Sequence, residues 1–147
     1  MNLPLLVLIL PLLGSLISAT CIIGSQNKKA EYISTIFLFL AGLISIYIYI
    51  NIETFAGNFI VYNWINFAKV NLNFSIFLDP LTSIMFCVVT IVSSVVHMFS
   101  IGYMYEDKLR ARFFCYLSLF TFAMLILVSA DNFIQLFLGW EGVGLCS

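Results

Sequence analysis

Charge is scarce in this chain. Lys and Arg together number 6 and Asp and Glu 7 in 147 residues, or 9% of the total, against about 25% in an average soluble domain. The formal net charge is −1, so there is no basic field for nucleic acid and no acidic tail. A single histidine excludes a zinc site built on histidines and a His pair for haem. The cysteines (Cys21, Cys87, Cys115, Cys146) stand far apart with no CxxC pair. All lie in or beside apolar runs and read as packing residues, since free Cys behaves as a small hydrophobe. There is no nucleotide-binding loop and no nucleophile with a neighbouring base. These gaps leave no redox centre, cofactor site or metal site in the chain itself.

What is present is apolar: 63% of the residues are hydrophobic. Crossing a bilayer core takes about 20 such residues. Uncharged runs predict spans over 3–24, 32–51, 80–103 and 112–128, with a fifth helix starting near Phe133 and still running at Ser147. Pro4 and Pro11 are tolerable in the first span because neighbours re-satisfy the backbone. That run has no preceding Lys or Arg and no clean small-residue end, so it reads as a span and not as a signal peptide. Residues 1–147 then form one membrane domain.

Between the second and third spans the texture changes. Val70-Asn-Leu-Asn-Phe-Ser-Ile-Phe-Leu78 alternates apolar and polar for most of its length, a strand pattern. Phe59–Phe67 pairs with it as a hairpin around Ala68-Lys69, and Tyr62 and Trp64 suit a membrane interface. Open strand edges cannot face lipid, so the hairpin belongs outside the hydrocarbon, against a partner. The expected fold is an all-α membrane protein: four transmembrane helices, the start of a fifth, and a β-hairpin in the outer loop.

Two helix starts are marked. Asp79-Pro80 sets an N-cap acceptor before a first-turn proline. Asn132 with Gln135 resembles a capping box. Lys28, Lys29, Lys108, Arg110 and Arg112 flank the two loops of one side, and Lys69 lies in the opposite loop. The positive-inside rule puts the N-terminus and the hairpin outside.

Glu141 is the anomaly. It lies in an apolar stretch, where an isolated carboxylate costs roughly 2.5–3.5 kcal/mol. Nine residues from Asn132 at 1.5 Å each place it roughly 14 Å into the core. Its helical neighbours Phe137, Leu138, Gly144 and Leu145 offer no polar partner. Gly139, Gly142 and Gly144 remove bulk nearby, for another backbone or for water. A partner must therefore come from another helix or from water, and proton or ion transfer is the leading role, with a structural ion pair as the alternative. A second polar feature is the stripe Ser83, Thr90, Ser94 and His97, with Ser93 and Ser100 beside it, which should face protein. The unperturbed pKa of a histidine would permit proton transfer near neutrality, which makes His97 a candidate proton-path residue. The alternative is a core histidine bonded to a serine or carbonyl.

Four segments carry a family resemblance: Leu78-Asp-Pro-Leu-Thr-Ser-Ile-Met85, Ser94–Met104, Arg112–Phe120, and Asp131-Asn-Phe-Ile-Gln-Leu-Phe-Leu-Gly-Trp-Glu-Gly-Val-Gly-Leu145. They resemble the N-terminal part of NADH dehydrogenase subunit 5, the distal antiporter-like subunit of respiratory complex I, and its mitochondrial form most. The resemblance is strong from Leu78 onward and weak but compatible in the first two spans. It implies a multi-pass location in the mitochondrial inner membrane, with the N-terminus on the intermembrane-space side, in an H⁺-translocating NADH:ubiquinone reductase. That complex as a whole uses NADH, FMN, iron–sulfur clusters and ubiquinone. The resemblance also makes Glu141 the glutamate of the family's fifth membrane helix, which works with lysine and histidine residues on later helices. This chain lacks those later helices. The expectation is that a second polypeptide completes the proton path, with other membrane-arm subunits and lipids as partners and no nucleic acid. A structural membrane-arm role without translocation, or a cation/proton antiporter subunit, is the alternative.

Overall fold

The structure, a computed structural model, describes residues 3–23, 27–67, 70–107 and 109–147, with backbone alone at 23, 27–29, 63–67 and 70–72. Along the chain run α1 (Leu3–Ile23), α2 (Asn27–Ile50), α3 (Ile52–Phe55), β1 (Gly57–Phe67), β2 (Val70–Leu78), α4 (Pro80–Tyr103), α5 (Arg110–Val128) and α6 (Phe133–Cys146). Four of these helices are long and apolar enough to cross a membrane, over Leu3–Ile22, Ala30–Ile50, Pro80–Tyr103 and Arg110–Val128. They match the four runs expected from the sequence. α1 continues unbroken through Pro11.

α1 packs on α2 and α5, α2 packs on α4, and α6 packs on α5. The apolar core is small and sits at the hairpin end. There Val7 and Leu8 of α1, Ile48 of α2, Ile76 and Leu78 of β2, Phe86 of α4 and Leu125 of α5 close on one another. Elsewhere the helix interfaces are lined by small hydroxyl residues: Ser18, Ser34, Ser45, Ser83, Thr90, Ser118 and Thr121 are all buried. Most of these hydroxyls bond back to a carbonyl one turn earlier, as in Ser34 Oγ to Ala30 O (2.9 Å), Ser45 Oγ to Ala41 O (2.9 Å) and Thr90 Oγ1 to Phe86 O (2.7 Å). A hydroxyl bonded back within its own helix leaves a slim surface for the neighbouring helix to approach, whereas Ser18 Oγ reaches across to Ala30 O of α2 at 3.4 Å.

β1 and β2 pair antiparallel from Gly57↔Leu78 to Phe67↔Val70, with irregularities between Ile60 and Tyr62 and between Asn63 and Ile65. The expected hairpin is therefore present. Its turn, Ala68-Lys69, and the side chains of Trp64, Lys28, Lys29, Lys69 and Lys108 lie outside the described residues. Gly57 opens β1 at φ 151°, a backbone region open essentially to glycine alone. The hairpin comes after the one-turn helix α3, which the apolar pattern does not announce because a single turn is too short to show a period.

Two boundaries differ from expectation. α2 starts at Asn27, so Glu31 lies on a helix and is buried, not in a polar loop. α5 starts at Arg110, bringing Arg110 Nη1 to 3.5 Å from Glu31 Oε2. The Arg110 guanidinium also sits 5.4 Å from the centre of the Tyr105 ring. The pair ties the early part of α2 to the start of α5. At α4 the expectation holds: Asp79 Oδ1 accepts from the Thr82 N–H at 2.6 Å, with Pro80 in the first turn.

Candidate functional site

The expected capping box at α6 is half formed. Asn132 Oδ1 accepts from the Gln135 N–H at 2.9 Å. The Gln135 side chain does not return to Asn132. It reaches the hairpin, where Oε1 accepts from Ser75 N (3.2 Å) and Nε2 donates to Ser75 O (2.7 Å). Two further bonds continue along the same edge of β2. Asn132 Nδ2 donates to Asn73 O (2.8 Å), and Phe77 N donates to Ser129 O (3.0 Å). Asp131 Oδ2 accepts from Asn58 Nδ2 (2.6 Å) and Ser75 Oγ (3.2 Å). Residues 73, 75 and 77 present their backbone groups to one side, as every second residue of a strand does. The turn between α5 and α6 thus occupies a strand edge that would otherwise be open. The sequence pattern marks this place only by the Asn132–Gln135 capping pair. The available signal was a glutamine, buried in the structure, at the head of an apolar run.

One turn beyond Gln135 comes Gly139, also buried. A Cβ at Gly139 would stand 2.7 Å from both the N and the Cα of Leu127, so α6 and α5 meet there backbone to backbone. At Gly142 a Cβ would lie 3.0 Å from Ala123 Cβ, whereas Gly144 faces open space. Of the three expected spacers, two therefore serve the α5 contact.

Glu141 follows Gly139 by two residues, about 200° around the helix, and so points away from α5. It is exposed, as are Phe137, Leu138, Trp140 and Leu145 around it. Among the described residues no hydrogen bond or ion pair reaches it. A carboxylate thus stands alone on an apolar face.

His97 is fully buried between α4 and α5. Its Nδ1 lies 2.8 Å from Ser93 O and its Nε2 3.1 Å from Ser118 Oγ. A carbonyl only accepts, so Nδ1 carries the proton and neutral Nε2 accepts from the serine hydroxyl. Phe114 packs against the ring at 5.7 Å between centroids. Ser93 Oγ and Thr121 Oγ1 also bond across the same interface. The stripe faces protein as expected: Ser83, Thr90, His97 and Ser100 are buried, and Ser93 and Ser94 are half-buried. The two candidate residues are not brought together, since His97 is enclosed between α4 and α5 whereas Glu141 projects from the far side of α6. The four cysteines are half-buried and unpaired, and among the described residues no three His, Cys, Asp or Glu side chains gather as metal ligands.

Four apolar helices long enough to span a bilayer, packed through hydroxyl-lined interfaces, define a multi-pass membrane protein. The comparisons narrow this. A family model described as the N-terminus of NADH-ubiquinone oxidoreductase (complex I) chain 5 matches residues 64–114. NADH-quinone oxidoreductase subunit L of Rickettsia typhi is 51% identical over 99% of this chain and 23% of its own length. NADH-ubiquinone oxidoreductase chain 5 of Dictyostelium discoideum is 45% identical over 95% of this chain and 21% of its own length. Subunit L of Rhodobacter capsulatus is 41% identical over 97% and 21%. The chain belongs to the complex I chain 5/subunit L family and corresponds to its N-terminal region, spanning less than a quarter of the length of these relatives.

Proposed function

We propose that this chain forms part of a proton-translocating membrane subunit of an NADH:ubiquinone reductase in the mitochondrial inner membrane, in which Glu141 takes up and releases protons. The observation that carries this reading is the position of Glu141, exposed on the face of α6 opposite its packing face, with no bonded partner among the described residues. The groups that answer its charge come from outside the described residues. A cation arriving about 4 Å away, at an effective dielectric of about 20, favours the ionised form by about 4 kcal/mol. Its withdrawal returns the carboxylate toward the protonated state. Alternating the two loads and unloads a proton. In this reading NADH, flavin, iron–sulfur and quinone chemistry belongs to other subunits of the complex. The N-terminus and the hairpin face the intermembrane space.

His97 has a different part. Both ring nitrogens are engaged within the α4–α5 interface, which makes it a pin between helices rather than a relay. One measurement tests both residues: protons translocated per electron pair in assembled complexes reconstituted in vesicles. Glu141→Gln should abolish or sharply reduce that ratio at normal assembly. His97→Gln should lower the amount of assembled complex and leave the ratio unchanged in what remains. An unaltered ratio in Glu141→Gln would sink the reading and favour a purely structural role. Mass spectrometry of the same complexes decides whether the partner groups belong to this polypeptide or, as expected from the sequence, to a second one.

A further inference from the structure

The geometry points to Gln135 as a positioning residue for Glu141, acting through the backbone of Ser75 at the edge of the hairpin. This rests on the reading of Glu141 as a proton-transfer group.

Two contacts determine how α6 sits. Gln135 holds both backbone groups of one strand residue, at 3.2 and 2.7 Å, with its own amide fully enclosed. That two-point bond fixes the amide in orientation as well as in distance. Gly139 then meets the Leu127 backbone so closely that no side chain fits. The two residues are four apart and share a face. A rotation of α6 by one residue, about 100°, would drive Leu138 or Trp140 into Leu127 and pull the amide off Ser75. Glu141 is six residues beyond Gln135, about 9 Å along the axis. The clamp therefore sets how deep the carboxylate lies, and the clamp with Gly139 sets which way it points.

Gly139 alone would permit sliding along α5. The bond to Ser75 supplies the axial stop. That stop is anchored in turn, because β2 is paired with β1 and its edge is also held by Asn132 and the Ser129 carbonyl. The titratable groups on elements packed against α6 are Arg110, Arg112, Cys115 and Tyr116 of α5 and Asp131 of the turn. None bonds Glu141 among the described residues. Moving α6 changes the surroundings of Glu141 through depth and orientation, not through loss of a local partner.

The test measures proton translocation per electron pair against pH in assembled complexes carrying Gln135→Leu, Gln135→Glu or Glu141→Gln. In Gln135→Leu the pH midpoint of translocation should move by about one unit or more in the complexes that assemble. A protonated carboxyl offers the same donor and acceptor pair as the amide. Gln135→Glu should therefore follow the wild type at acid pH and depart from it as pH rises and the carboxyl ionises. Wild-type profiles in both Gln135 variants, with Glu141→Gln inactive, overturn the positioning role and leave the proton reading standing. If Gln135→Leu does not assemble, Gln135→Glu decides alone, and a profile parallel to the wild type at every pH overturns the inference. An active Glu141→Gln overturns the underlying reading and the positioning role with it.

Discussion

Asp79, Glu31 and Glu141 are three carboxylates at or within membrane helices, and each meets its charge differently. Asp79 stands just outside α4, and the Thr82 backbone N–H, then the Thr82 hydroxyl, hold its carboxyl below the ordinary aspartate range. A depressed folded-state pKa contributes stability that is present above the unfolded value and lost as pH falls through the folded one. Asp79→Ala should lower stability by about 1 kcal/mol near neutrality, less at strongly acid pH, and Asp79→Asn should retain most of the cap. Thermal unfolding of detergent-solubilised complex at two pH values checks this, and an equal loss at both would contradict it. Glu31 is answered by Arg110 from another helix. Glu141 has no bonded partner among the described residues, and that difference separates a structural carboxylate from a candidate functional one.

At the scale of elements, α6 carries the residue proposed to transfer protons, and none of its large apolar side chains is fully buried. Its inward face is Gln135 and Gly139, while Phe133, Phe137, Trp140 and Leu145 point outward. Contact with α5 relies on closeness, since an absent side chain brings two backbones together and gains dispersion over a short length. Gly139→Ala puts a methyl group 2.7 Å from Leu127 backbone atoms, which cannot yield as a flexible side chain would. The expected cost is about 1–3 kcal/mol from overpacking, read as a lower thermal midpoint for the assembled complex. An unchanged midpoint would mean that α5 and α6 separate freely. Gln135 contributes differently. Losing its amide leaves the Ser75 N–H and C=O without partners, at about 1–3 kcal/mol for each buried group.

Across the whole molecule, polar fasteners stand at opposite ends of a mostly apolar bundle. At one end Glu31 and Arg110 tie α2 to α5. At the other, Ser129, Asp131, Asn132 and Gln135 tie the α5–α6 turn to the hairpin. Glu31→Gln leaves the mostly buried Arg110 without a counter-ion, and breaking such a pair costs up to about 3–5 kcal/mol. The loss should appear as loosened α2–α5 packing in hydrogen exchange around residues 30–38, with the hairpin end protected as before; uniform deprotection would mean that the two ends are not independent. Much of this was legible in the chain. Spans, hairpin, the Asp79 cap and the isolation of Glu141 each follow from local rules: run length, alternation, capping chemistry and the i±3 and i±4 neighbours on a helix. What local rules could not reach were pairings across the sequence, namely Gln135 with Ser75, Glu31 with Arg110, and Gly139 with Leu127, separated by 60, 79 and 12 positions. A glutamine in an apolar run, or a glycine in a helix, announces that something unusual stands opposite without saying what. The sequence by itself therefore determined that Glu141 stands in an apolar helix without a polar neighbour on that helix. Only the tertiary structure decided which way it points, because the direction of a side chain depends on what the other face of its helix is pressed against.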